Sequence, residues 1–424
     1  MPAKVIQLRP GRQTIAQYVR VGRSHRQLES LLAAGRLPIE RAVFDAALVT
    51  HQQDLIEALR SAGRETVLDT NVAELSAIGR FQGSARQAPW SEATRPLEAR
   101  DIQHPNFSKA IARFALQHGF GAVLAPTHFL TNAEDPWLDV DITTCVRLRR
   151  ALDAAGGSDV GLDYVLSVPN RVMRDPLQRQ TLLAKLTMLP FENLWFRISQ
   201  FGADATGAGV RRYIESLQEF LILNRPVVAD NVAGLAAMAT VAFGVAGGVA
   251  HGVGDAERFD ASNWNKPPKE GGFNRVARIL VPALDRQLSK GQVSAIVAAT
   301  GGRRLIACSE CCRRGLDDMW GSPKARYLYT RRRQIQGIAA VPDLRRSYHF
   351  VQHDIADADR NARALARLKM GDLPTKRMIQ KESGRLERFF HIMDDLNSTG
   401  SFDVRSGAPR FRSQSGPPGR RARS

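Results

Sequence analysis

The sequence predicts an α/β protein: a (β/α)8 barrel of the TIM type, carrying a basic, mainly helical C-terminal extension and a disordered tail. Three observations predict it. From Arg41 onward, short apolar runs alternate with stretches of helical composition, the pattern of repeated βαβ units. Polar residues gather just past these runs, where parallel α/β folds place ligands. No G-x-G-x-x-G follows the first run, which disfavours an open doubly wound sheet.

The clearest unit is Arg225–Trp264. Pro226–Ala229 is a short apolar run ending on Asp230 and Asn231. The Ala-rich stretch Val232–Phe243 contains no proline and reads as a helix. A second run, Val245–Ala250, ends on His251 within a glycine cluster at 244, 247, 248, 252 and 254.

Length and composition set bounds. At 424 residues with 43% hydrophobic content, the chain can bury a large core, so wholesale disorder is excluded. Sixty basic residues against 42 acidic give a formal charge of +18. That balance favours a polyanionic partner, nucleic acid before a membrane surface; an Arg-rich coding bias would give the same excess with no function. Four cysteines make no disulfide framework in a chain this long. The N-terminus lacks a long apolar stretch and no run of about 18 apolar residues occurs. The expected protein is soluble and cytoplasmic, with no membrane partner.

Residues 1–40 form a basic segment, with helical spacing over 13–34 set by Ile15, Val19, Leu28, Leu31 and Leu32. The barrel is expected over 41–312. Ala42–Thr50 reads as the first strand and Thr66–Asn71 as the second, ending on Asp69 and Asn71. A polar, Pro-containing connection follows, of a length that usually marks function or insertion. Gly121–Phe129 is the third strand, with Thr127 and His128 at its end. Leu162–Asn170 is the fourth, and Asn193–Gly202 the fifth, carrying Arg197 and Gln200. The sixth and seventh belong to the Arg225–Trp264 unit, and Arg303–Ser309 is the eighth.

Beyond Cys312 the character changes. Residues 313–397 form a basic helical extension, in which Arg313–Arg346 is dense in cations interleaved with Trp320, Tyr327 and Tyr329. Such a mixture grips phosphates and stacks bases. Helices are expected over 354–369 and 376–396. The tail, 398–424, is rich in Gly, Pro, Ser and Arg and reads as a disordered basic arm.

In a barrel the strand ends converge, bringing Asp69, Asn71, His128, Asn170, Gln200, Asp230, Asn231 and His251 to one mouth. A carboxylate there can act as nucleophile, general base or ligand; equally, Asp69 or Asp230 can cap the next helix. The glycines at 244–254 suit a phosphate loop or a tight turn. Cys308, Cys311 and Cys312, with His349 or His353, 37 or 41 residues past Cys312, suit a structural zinc over 308–353 or a buried cysteine cluster.

Several short stretches resemble the tRNA-guanine transglycosylase superfamily, which includes queuine and archaeosine enzymes and relatives that insert 7-deazaguanines into DNA. VLDTN with the later GRFQ is similar to the family's strand ending on Asp and its Gly-Phe-Gln segment. FRISQFG is similar to its Val-Gln-Gly-Gly strand, RFDASNW to its Phe-Asp-Cys nucleophile motif, and CSECCRRGLDDMW to its zinc cysteines. The resemblance implies base exchange in tRNA or DNA through an aspartate nucleophile, Asp260 or Asp230, with Asp69 as acid/base. It places Phe81, Gln82 and Gln200 around a purine-type base, with Asn170 and His251 of the same expected mouth beside them, and zinc on Cys308, Cys311 and Cys312 with His349. A barrel enzyme acting on a small phosphorylated or carboxylated metabolite, and a non-catalytic nucleic-acid-binding protein, are the alternative readings.

Overall fold

A computed structural model of the chain describes residues 15–412, apart from 82–87, 92–94, 255–256, 265–277, 309–311, 313–314, 401 and 403. Eight strands close into a barrel: β1 (Ala16–Arg20), β2 (Arg41–Asp45), β3 (Glu65–Asp69), β4 (Ala122–Leu124), β5 (Gly161–Pro169), β6 (Leu194–Ser199), β7 (Val227–Asp230) and β8 (Gly248–His251). Neighbours pair in parallel, and β8 pairs with β1 to close the circle. Helices such as Gln53–Ser61, Pro105–Gln117, Trp137–Ala154, Pro176–Leu186 and Gly207–Gln218 connect successive strands. Their apolar faces and the outward faces of the strands share one core. The inward faces form a separate one, filled by Tyr18, Val43, Val67, Leu124, Val165, Trp195, Val228 and Ala250. Strands buried on both faces read as near-continuous apolar runs, which is why most of them were legible.

Three expectations are corrected. The helix expected over 13–34 does not form: Ala16–Arg20 is β1, and the helix is His25–Ala33. Ala16 and Tyr18 face the barrel interior while Val19 faces the helix layer. That is a period of two, and Gly22 at φ +48° separates the strand from the helix. The strand expected over 303–309 is instead the short helix Gly302–Ile306, because β1 already occupies the closing position. The barrel therefore spans 16–251, not 41–312.

The third correction concerns the tail. Residues 404–412 pass beneath the N-terminal opening of the barrel. The Ser406 amide donates to the Gly244 carbonyl at 2.7 Å, and the Ser406 hydroxyl accepts from the Val227 amide at 2.8 Å. Arg412 enters the opening, donating to Asp163 at 2.9 Å and Glu192 at 3.0 Å. Arg41 donates to the Pro409 carbonyl at 3.0 Å and pairs with Glu65 at 3.5 Å. Buried carboxylates at the base of the barrel, Glu65 and Asp163, supply a docking energy that the tail's low apolar content hides. Residues 413–424 lie outside the described residues.

After β8 a hairpin, β9 (Arg278–Val281) and β10 (Arg286–Ser289), precedes the helical extension. That extension forms as expected, with its long helices at Pro323–Ala339, Ala356–Ala366 and Leu373–Thr399. No helix among the described residues is long and apolar enough to cross a membrane.

Candidate active site

At the carboxyl end of the barrel, four strands contribute side chains to one buried ionic ring. Arg20 ends β1, Asp69 ends β3, Arg197 stands two residues before the end of β6, and Asp230 ends β7. Arg20 donates to Asp230 from Nε and Nη2, each at 2.7 Å, and to Asp69 from Nη1 at 2.8 Å. Arg197 donates from Nε to Asp230 and from Nη2 to Asp69, each at 2.8 Å. No side chain of the ring is more than 10% exposed. Two guanidiniums against two carboxylates leave the ring neutral, so the desolvation cost is opposed by charge-assisted hydrogen bonds from each fork.

Asp45 ends β2 in direct register with Asp69 and adds a third carboxylate. Among the described residues its carboxylate accepts one hydrogen bond, from the Asn71 side-chain amide at 3.3 Å. Burial and the neighbouring charge of Asp69 push its pKa up to about 6, against the pull of Arg20. Asp69 behaves oppositely. Burial would raise its pKa, but Arg197 and Arg20 outweigh burial, and with the Asn71 amide donating at 3.0 Å they hold the carboxyl well below the usual range. Two adjacent carboxyls thus differ in proton affinity because only one faces both arginines.

The segment carrying Asp260 lies across the end of β6. Residues Phe201–Gly202 pair antiparallel with Arg258–Phe259. The Gln200 amide donates to the Phe259 carbonyl at 2.8 Å, and the Ala261 amide donates to the Ser199 hydroxyl at 3.0 Å. Asp260 is partly exposed, and its Oδ1 accepts from the Ser262 amide at 3.0 Å. Beside it, Phe259, Trp264 and Phe129 meet edge to face, with ring centroids 5.1 to 6.4 Å apart, over Ala73 and Ala261. The turn Ala261–Trp264 packs against the turn Ile78–Phe81. Two of the stretches that resemble the family motifs therefore meet at the mouth; Gln82 lies outside the described residues.

The other expected residues fall into three groups. Gln200 is exposed at the mouth in a left-handed conformation, φ +66°, and Asn170 is partly exposed just past β5. Asp230 is 1% exposed, and its two oxygens accept three guanidinium N–H bonds, so it is turned to the arginines and caps no helix. His251 is 2% exposed; its Nδ1 donates to the Gly252 carbonyl at 2.8 Å, and its Nε2 accepts from the Gln17 amide at 2.9 Å. Burial pushes its pKa down to about 4, so the ring is neutral and fastens β8 to β1.

The glycine cluster divides between the two ends of β8. Gly244 and Gly247 lie at the bottom, where a Cβ on Gly247 would sit 1.8 Å from the Gly407 carbonyl oxygen. Those two glycines make room for the tail. Of the expected metal ligands, Cys311 lies outside the described residues. The Cys312 sulfur accepts from Arg326 at 3.1 Å, and the His349 ring packs on His353 at 4.6 Å. No group of three or more potential metal-ligating side chains occurs among the described residues.

Sequence reasoning missed Arg20 and Asp45. Both stand as the last residue of an apolar run, AQYVR and RAVFD. The first run also fits a helical stripe, and the second continues in apolar residues toward Thr50, which hides Asp45 inside it.

No protein-family model matches the chain, and no curated protein matches it. Solved structures that resemble it include a type I 3-dehydroquinate dehydratase from Clostridium difficile, with 8% identity, a TM-score of 0.37, and coverage of 60% of this chain and 90% of that one. Another is KGPDC from Streptococcus mutans, at 12% identity and TM-score 0.33, covering 60% and 95%. A third is the Clostridium thermocellum endo-1,4-beta-D-xylanase 10B, at 10% and 0.38, covering 57% and 58%. Likeness at this level decides nothing about chemistry. The chain is a TIM-type barrel on the strength of its own strand pairing.

Proposed function

We propose that the barrel mouth exchanges a purine-type base in a polynucleotide, with Asp260 as nucleophile and Asp45, in place of Asp69, moving the proton. The observation that carries this reading is the Asp45–Asp69 pair, one carboxyl raised to about 6 and its register partner held ionised. Base exchange needs a carboxylate to attack the ribose C1′ and a second group to protonate the departing base. A general acid needs a pKa near the working pH, which Asp45 has and Asp69 does not. Asp260 is preferred to Asp230 as nucleophile because its carboxylate is partly exposed and, among the described residues, accepts a backbone amide and no guanidinium. Phe129, partly exposed where it packs on Phe259 and Trp264, offers its ring to a base drawn from its stack, with Gln200 and Asn170 to read its edge. The cation-rich extension would hold phosphates.

Exchange of labelled guanine into tRNA and into duplex DNA tests the reading. Wild-type chain should incorporate label, and Asp260→Asn should lower the rate by at least about three orders of magnitude. Undiminished exchange in Asp260→Asn removes that residue from the site. Absence of exchange with both polynucleotides, together with binding that does not weaken as salt rises, would favour a small-metabolite enzyme instead. Zinc on Cys308, Cys311, Cys312 and His349 belongs to the same reading. Elemental analysis of the purified chain tests it, with one equivalent expected.

A further inference from the structure

We propose that Ser76, His128 and Asp141 form a nucleophilic triad that accepts an acyl group from an ester or thioester, a separate activity from the base exchange above. The three residues come from different elements. Ser76 follows the short helix Val72–Leu75 beyond β3, His128 follows β4, and Asp141 lies in the helix Trp137–Ala154. The Ser76 hydroxyl stands 3.1 Å from His128 Nε2. His128 Nδ1 stands 2.5 Å from Asp141 Oδ1, and the His128 amide donates to Asp141 Oδ2 at 2.9 Å. Trp137 stacks on the imidazole at 3.9 Å and 16°, fixing its plane. Asp141 is fully buried. Since a carboxylate only accepts, Nδ1 carries the ring proton and the Nε2 lone pair faces the serine.

The orientation of the hydroxyl separates this arrangement from ordinary packing. Several helical hydroxyls elsewhere turn back onto the carbonyl four residues earlier, among them Thr144 to Val140, Thr181 to Leu177, Thr187 to Leu183 and Ser216 to Arg212. Ser76 has Val72 at that spacing and bonds to His128 instead. It is partly exposed, and Ile78 beside it is 72% exposed, so the approach is from solvent. Ala77 and Phe129, the chain neighbours of Ser76 and His128, both pack on the apolar cluster of Phe259 and Trp264. That surface, which borders the place assigned above to the base, suits an apolar acyl chain.

The step balances without a redox partner. Ser76 Oγ forms a bond to the carbonyl carbon while its proton moves to His128 Nε2. The carbon–oxygen or carbon–sulfur bond to the leaving group then breaks, and His128 returns the proton to that group. Water, activated by the same nitrogen, later releases the acid and restores the serine.

A fluorophosphonate probe tests this, because the same attack at phosphorus expels fluoride and leaves a stable adduct. Incubation of the full chain followed by peptide mapping should place one label on Ser76, and Ser76→Ala should take none. His128→Gln and Asp141→Asn should each slow labelling by about 100-fold or more, the scale of a lost general base. The proposal is overturned if Ser76 stays unlabelled under conditions that saturate a known serine hydrolase. It is also overturned if folded His128→Gln labels as fast as wild type; should that variant unfold, Asp141→Asn decides by the same criterion. Base exchange should be unchanged in Ser76→Ala, so that either activity can fail alone.

Discussion

Asp45 and Asp69 stand opposite each other on adjacent parallel strands, yet one holds its proton up to about pH 6 and the other stays ionised far below that. The difference has a simple origin. Arg20 and Arg197 both donate to Asp69, while Asp45 takes an amide hydrogen bond from Asn71.

Asp45 should therefore leave a signature in stability against pH. Its folded pKa is raised, so its contribution is fully present below about 4, the unfolded value, and is lost as pH rises through about 6. Asp354 shifts in the same direction and His251 in the opposite one, so the informative quantity is the difference between wild type and Asp45→Asn. Urea melts between pH 4 and pH 8 should show the variant gaining on wild type as pH rises through 6. A constant difference would mean that Asp45 titrates as an ordinary surface carboxylate. The alkaline limb of any exchange-rate profile, where a general acid of pKa about 6 loses its proton, should disappear in the same variant.

The ring itself predicts an asymmetry. Arg197→Met removes one of two cations and leaves Asp69 and Asp230 sharing Arg20 within a buried site. A loss of about 3–5 kcal/mol is expected, the usual consequence of stranding a buried charge. Adding Asp69→Asn removes the stranded charge and should recover part of that loss. Denaturant titration of the two single variants and the double measures the coupling, and strictly additive losses would contradict a shared ring.

Much of this could be read in the sequence, for a physical reason. Parallel strands covered on both faces must be apolar throughout, so runs such as TVLD, YVLSV and PVVAD announce themselves, and the residue ending each run sits at the mouth. Asp69 and Asp230 were found in this way. β1 was not, because Ile15 and Val19 also fit a helical stripe with Leu28, and only the barrel's need for a closing strand decides between the two. The arginines were illegible as partners. Nothing local says that Arg20 will meet Asp230, 210 positions away. The tail was misread for a related reason: its docking rests on buried carboxylates at the barrel base and on glycines that leave room for it, neither of which appears in its own composition.

Because the tail seals the barrel base, cutting it should cost stability at a distance. A chain ending at residue 400 would leave Glu65, Asp163 and Arg41 without Arg412 and the Pro409 carbonyl, and the Val227 amide without the Ser406 hydroxyl. Gly247→Ala should act through the same contact, since its Cβ would meet the Gly407 carbonyl at 1.8 Å. In the full chain this substitution should displace the tail and destabilise by roughly 1–3 kcal/mol, the range for overpacking. In the truncated chain it has nothing to collide with and should cost far less. Urea melts of the four proteins complete the cycle, and an equal cost of Gly247→Ala in both backgrounds would show that the tail does not dock there in solution.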